Sequence, residues 1–132
     1  MSLPRSIDLT DLGVSNTVAL PISAEQVVLL GPRLQTPKDT SFIVVFFSLI
    51  GTAGTSTTNI NCFVKIGTTT AGTQIGREFT AGTTASENFC LSGMVTTQVS
   101  ATDYLQVCLT AIQTGASATG TVFGASLVCI SF

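Results

Sequence analysis

The sequence predicts an all-β chain folded as a single β-sandwich or barrel domain, and three observations carry that expectation. Runs rich in Val, Ile, Phe and Thr alternate with clusters of Gly, Thr, Ala and Ser, the pattern of short strands joined by turns. No segment of useful length shows a 3.6-residue apolar period with helix caps. The chain has 132 residues, 45% hydrophobic and 9% charged, where ordinary soluble domains carry about 25% charged residues. That length suits one domain with a sizeable core, and that balance argues against disorder.

The elements follow in order. Residues 1–22 form a distinct piece, in which Pro4, Asp8, Asp11, Gly13 and Pro21 break up a weak alternation of Ile7, Leu9, Leu12 and Val14. This piece is expected to be an extended N-terminal arm, laid on a partner through those four apolar side chains. Residues 23–132 are expected to form the β-sandwich domain. Strands are expected near 17–21, 26–31, 41–50, 59–66, 73–79, 87–96, 102–113 and 120–131. The stretches 51–58, 67–72, 80–86 and 114–120 are expected to be loops, because Gly permits positive φ and Ser or Thr hydroxyls bond nearby backbone. They recur at uneven distances, which excludes a regular repeat array.

Face parity adds an inference about assembly. Across residues 42–50, one face carries Phe42, Val44, Phe46, Ser48 and Ile50, and the other Ile43, Val45, Phe47 and Leu49. A sandwich strand normally shows one face to water, so a strand apolar on both sides is expected to be covered twice. The strand near 102–113 and the last strand behave in the same way. The simplest cover is another copy of the chain, which also suits the low charge content. The expected oligomer interface comprises Phe42, Val44, Phe46, Tyr104, Gln106, Cys108, Val128, Ile130 and Phe132.

Missing residue types exclude much chemistry. There is no His, so no Ser-His-Asp or Cys-His catalytic group exists within this chain. The four Cys show no C-x-x-C spacing for an all-Cys zinc site, and no Gly-rich phosphate loop occurs. The acidic residues Asp8, Asp11, Glu78, Glu87 and Asp103 read as turn and surface charges rather than as an acid/base pair. No enzyme activity, catalytic residue, cofactor or metal is expected. The basic residues Arg5, Arg33, Lys38, Lys65 and Arg77 are scattered in a chain of net charge −2, so no nucleic-acid partner is expected. The first residues lack the apolar core of a signal peptide. The longest apolar stretch, residues 42–50, is far short of the ~20 residues a spanning helix needs, so no membrane partner is expected. No N-x-Ser/Thr site is present, in keeping with synthesis in a cytosol. Cys62, Cys90, Cys108 and Cys129 each sit in an apolar run. Two disulfides with three possible pairings are one reading; four reduced, buried thiols are the favoured one.

The C-terminal half resembles the globular heads of the tumour-necrosis-factor and complement superfamily. The residues that carry the resemblance are Leu91-Ser92-Gly93, then Ala101-Thr102-Asp103-Tyr104-Leu105-Gln106-Val107, then Phe123-Gly124-Ala125-Ser126-Leu127. The resemblance implies a jelly-roll β-sandwich that forms trimers through apolar strand faces. Similar trimers serve as small capsid decoration proteins of tailed bacteriophages. By that analogy the expected function is that of a structural virion protein. It would be a homotrimeric capsid decoration or cement protein that binds and stabilises the outer shell non-covalently. Its partners would be its own copies and a major capsid or other shell protein, and its place the outer capsid surface of a virion, after synthesis in the host cytoplasm. The alternative is a fibre or surface head that binds a carbohydrate or receptor through the Thr-rich loops. A carbohydrate site usually offers an aromatic platform, and here Trp is absent and Tyr104 is the one Tyr. A shell-forming capsid protein ranks lower, since its packaging arm would normally be basic and residues 1–22 contain Arg5 alone.

Overall fold

Nine strands make up the protein in the computed structural model, which describes residues 6–12, 16–20, 24–34, 41–54, 58–67, 73–83, 87–99, 105–114 and 119–132. They are β1 (Ser6–Asp11), β2 (Val18–Leu20), β3 (Gln26–Leu34), β4 (Ser41–Thr52), β5 (Thr58–Gly67), β6 (Thr73–Thr83), β7 (Asn88–Val99), β8 (Leu105–Thr114) and β9 (Gly120–Ser131). No helix occurs among the described residues. Val, Ile, Phe and Thr favour the pleated backbone because their branched or aromatic side chains pack on it. Gly/Thr-rich stretches separate most of the strands as expected, although β6 runs on through Thr83.

The strands form two antiparallel sheets. The first has the order β1-β9-β4-β7, with β2 also paired to β9, and the second has the order β3-β8-β5-β6. β1 pairs with β9 over 126–131 and β2 pairs with it over 120–122, so the two form one interrupted strand along a single edge. The chain is then one long antiparallel hairpin rolled into two sheets: β1/β2 with β9, β3 with β8, β4 with β7, and β5 with β6. That nesting is a jelly roll.

The core lies between the sheets. Ile43, Val45, Phe47 and Leu49 of β4 meet Val107, Leu109 and Ala111 of β8, and Ile60, Cys62, Val64 and Ile66 of β5 join them. Phe79 crosses to stack edge-on against Phe47, with ring centroids 4.7 Å apart. Gly93 makes room for that ring, since a Cβ there would sit 2.4 Å from Phe79. A bulge in β6 is set by Gly76, whose φ of 67° lies where only Gly rests without strain.

One buried polar group fastens the end of the sandwich. Gln113 has no exposed surface; its Nε2 donates to the Leu20 carbonyl (2.8 Å) and its Oε1 accepts from the Gly54 N–H (3.2 Å). It ties β2 and the end of β4 to β8. Its parity is that of Val107, Leu109 and Ala111, so the sequence did contain the signal of an inward-facing residue.

The expectation for residues 1–22 needs correction. Residues 6–11, expected in an arm laid on a partner, pair instead with β9 of the same chain, and the Leu12 N–H continues the ladder to the Ala125 carbonyl. Leu12 packs against the chain's own core. The physical reason is that β9 needs a partner on its second edge, and 6–12 lies within reach. Val14 lies outside the described residues.

Candidate assembly surface

β1 is built inside out. Its parity sends Ile7 and Leu9 outward, 66% and 68% exposed, while Asp8 and Thr10 lie beneath. The register carries those two residues across the whole first sheet. Leu9 lies beside Val128, Val128 beside Phe46, and Phe46 beside Met94. Ile7, Ile130 and Val44 form the neighbouring row. Phe132 and Phe42 follow, with ring centroids 6.4 Å apart. Ile50 lies over Gly124, where a Cβ would fall 2.6 Å from its Cγ1. Phe123 is extruded by the register shift between Ile50 and Gly51. Among the described residues, seven of the eight large exposed apolar side chains lie on β1, β4, β7 and β9: Ile7, Leu9, Phe42, Phe46, Ile50, Met94 and Phe123. Among the described residues the one charge placed on this outer face is Asp11, at its end. Two of the serines that interrupt it bond each other, with Ser48 Oγ and Ser126 Oγ 2.7 Å apart, so covering them leaves less polar surface unsatisfied.

The outer face of the second sheet is different. Lys65 of β5 forms an ion pair with Glu25, and Thr80 Oγ1 donates to Asn61 Oδ1 (3.0 Å). Gln106 Nε2 donates to the Gly31 carbonyl. Cys108 and Thr110 also face this way, yet both are about 1% exposed beneath their cross-strand neighbours Leu30, Lys65, Val27 and Phe63. Thr110 Oγ1 has no hydrogen-bond partner. Among the described side chains, Leu30 is the one large exposed apolar group on this sheet.

The structure therefore divides the residues expected at one interface. Phe42, Val44, Phe46, Val128, Ile130 and Phe132 share the first sheet's outer face. Gln106 and Cys108 lie on the opposite face of the molecule and do not join them, because β8 belongs to the second sheet. Tyr104 lies outside the described residues. Of the arm residues, Ile7 and Leu9 belong to the apolar face and Leu12 does not. Sequence reasoning missed Met94 and Phe123. Ile50 was legible from its parity with Phe42, whereas Met94 needed the pairing of β4 with β7.

No disulfide joins any of the four cysteines. Burial pushes the Cys62 thiol up to about 12. Cys129 is likewise pushed up to about 12, first by burial and then by the Asp8 carboxylate. Cys108 is raised by burial, opposed by Lys65 and reinforced by Glu25. Such thiols are poor nucleophiles. Cys90 is exposed on β7. Among the described residues no group of three His, Cys, Asp or Glu side chains is placed to hold a metal ion.

No family model matches the chain, and no curated protein sequence matches it. Among solved structures, similarity is found to "Structure of infectious bursal disease virus Gx strain", at 8% identity and a TM-score of 0.49; it covers 98% of this chain and 32% of that one. The chain thus spans about a third of the length of that solved chain.

Proposed function

We propose that the chain is a structural virion protein, a homotrimeric decoration or cement protein held on a capsid without covalent bonds. The observation that carries this reading is the apolar, nearly uncharged outer face of the first sheet. Four strands at ~4.8 Å spacing and five outward rows at ~6.8 Å give about 650 Å² of flat footprint. Side-chain relief raises the accessible area above that figure, toward the roughly 800 Å² a side of a standard specific interface. Copies that bury β4 and β9 rows against one another cover it, and the second sheet's polar face stays in water. Ile7 and Leu9, at the rim of that face, are the side chains left to meet a shell protein. Several such contacts per trimer raise attachment by effective concentration.

The test is co-sedimentation with gradient-purified virus particles from the organism that encodes the chain. The wild type is expected to band with the particles at a fixed ratio. The doubly substituted F46K/V128K protein is expected to fold, to fall in mass, and to stay at the top of the gradient. A wild type that never bands with particles contradicts the virion reading.

A further inference from the structure

Each sheet ends in two edges, and an unpaired edge offers a row of N–H and C=O groups to any strand that approaches. Three of the four edges are blunted. The β1/β2 edge is interrupted between Asp11 and Val18 and carries Asp8 and Asp11. β3 contains Pro32 and two register shifts against β8. β6 is broken by a register shift beside Gly76 and carries Arg77 and Glu78. β7 has none of these devices. Its 12 residues pair with β4 in one unbroken register, and they include no proline and no charge. Phe89, Leu91 and Val95 anchor it in the core. On its other side it pairs with no strand among the described residues.

We infer that β7 is a homotypic pairing edge, through which two copies join antiparallel about a twofold axis into one continuous sheet. Two features point to a second copy as the occupant. A twofold axis sets the strand antiparallel to its own copy, so a charge near the axis would lie close to its like; the outward side chains Asn88, Cys90, Ser92, Met94, Thr96 and Gln98 are all neutral. The row from Leu9 through Val128 and Phe46 also reaches this edge at Met94, 52% exposed, and the copy's row carries it on. This contact uses the edge of the first sheet and not its face, so it stands apart from the trimer.

Neighbouring residues of an antiparallel strand point their N–H groups alternately at the paired strand and away from it. Of T96P and T97P, one therefore removes an N–H from the β4 ladder and the other removes one from the free edge, where proline is tolerated. The edge variant is the one that keeps wild-type circular dichroism and, at a dilution where both proteins are dissociated, wild-type melting. By light scattering at equal concentration, its mass is expected to be half that of the wild type, and equal masses overturn the inference. If neither variant folds, amide exchange of the wild type decides. The β7 amides that point away from β4 are expected to exchange at least tenfold more slowly at assembly concentration than after dilution. Unprotected exchange at every concentration overturns the inference.

Discussion

The two outer faces of the sandwich share one backbone pattern and differ in what they ask of their surroundings. On the second sheet, Lys65, Glu25, Asn61 and Thr80 satisfy one another within the chain, and the apolar stems beneath are already covered. On the first, Phe42, Phe46, Ile50 and Met94 stay 40–52% exposed and are left only partly covered by their own chain. The lesson is that a jelly roll fills its interior with one face of each sheet, and the remaining faces are free to specialise. One here suits water, and the other suits protein.

The sharpest way to break the comparison lies within β4. Phe47 faces in and Phe46 faces out, one residue apart. F47A is expected to lower unfolding stability by about 3–5 kcal/mol in denaturant titration. F46A is expected to change the dilute chain by under about 0.5 kcal/mol while weakening assembly. Similar losses for both at low concentration would mean that the outer face is already covered by its own chain.

β8 allows the same contrast with polar side chains. Q113L strands the Gly54 N–H and the Leu20 carbonyl in the interior and is expected to cost about 2–4 kcal/mol. Q106L, on the half-buried outer side, is expected to cost about 1 kcal/mol or less, read by thermal melts of both proteins.

The interior thiols sharpen the picture through pH. Cys62 and Cys129 stay protonated to about 12 in the fold, whereas thiols of the unfolded chain ionise near their ordinary value of 9.0. Their contribution to stability is full below pH 9 and is lost as pH rises toward 12, with a slope of at most about 1.4 kcal/mol per pH unit for each thiol. Denaturant titrations from pH 8.5 to 10.5 are expected to show that fall, and C62V to flatten it.

The smallest effect is a gain on the second sheet's outer face. Thr110 Oγ1 is buried without a partner, so T110V is expected to stabilise the fold by about 1 kcal/mol without changing the assembled mass.

The strand positions were legible because β-branched and aromatic runs end at Gly/Thr clusters, and the two-sided character of β4 was legible from parity alone. β1 was not legible as a strand. Its apolar Ile7 and Leu9 face outward and Asp8 and Thr10 face inward, so its alternation is the reverse of a core strand's. Parity also cannot say which strands share a sheet. That is why parity alone groups Gln106 and Cys108 with Phe46, although β8 and β4 lie in different sheets. Strand order is fixed by the rolled hairpin, whose pairs join residues as far apart as Ser6 and Ser131. No local pattern encodes such a pairing.

Sedimentation equilibrium of the wild-type chain at micromolar concentration tests the central claim most directly. A face this apolar is expected to give a mass that is a whole multiple of 13.6 kDa, three copies or a pair of such trimers. A single species of 13.6 kDa across that range would contradict it.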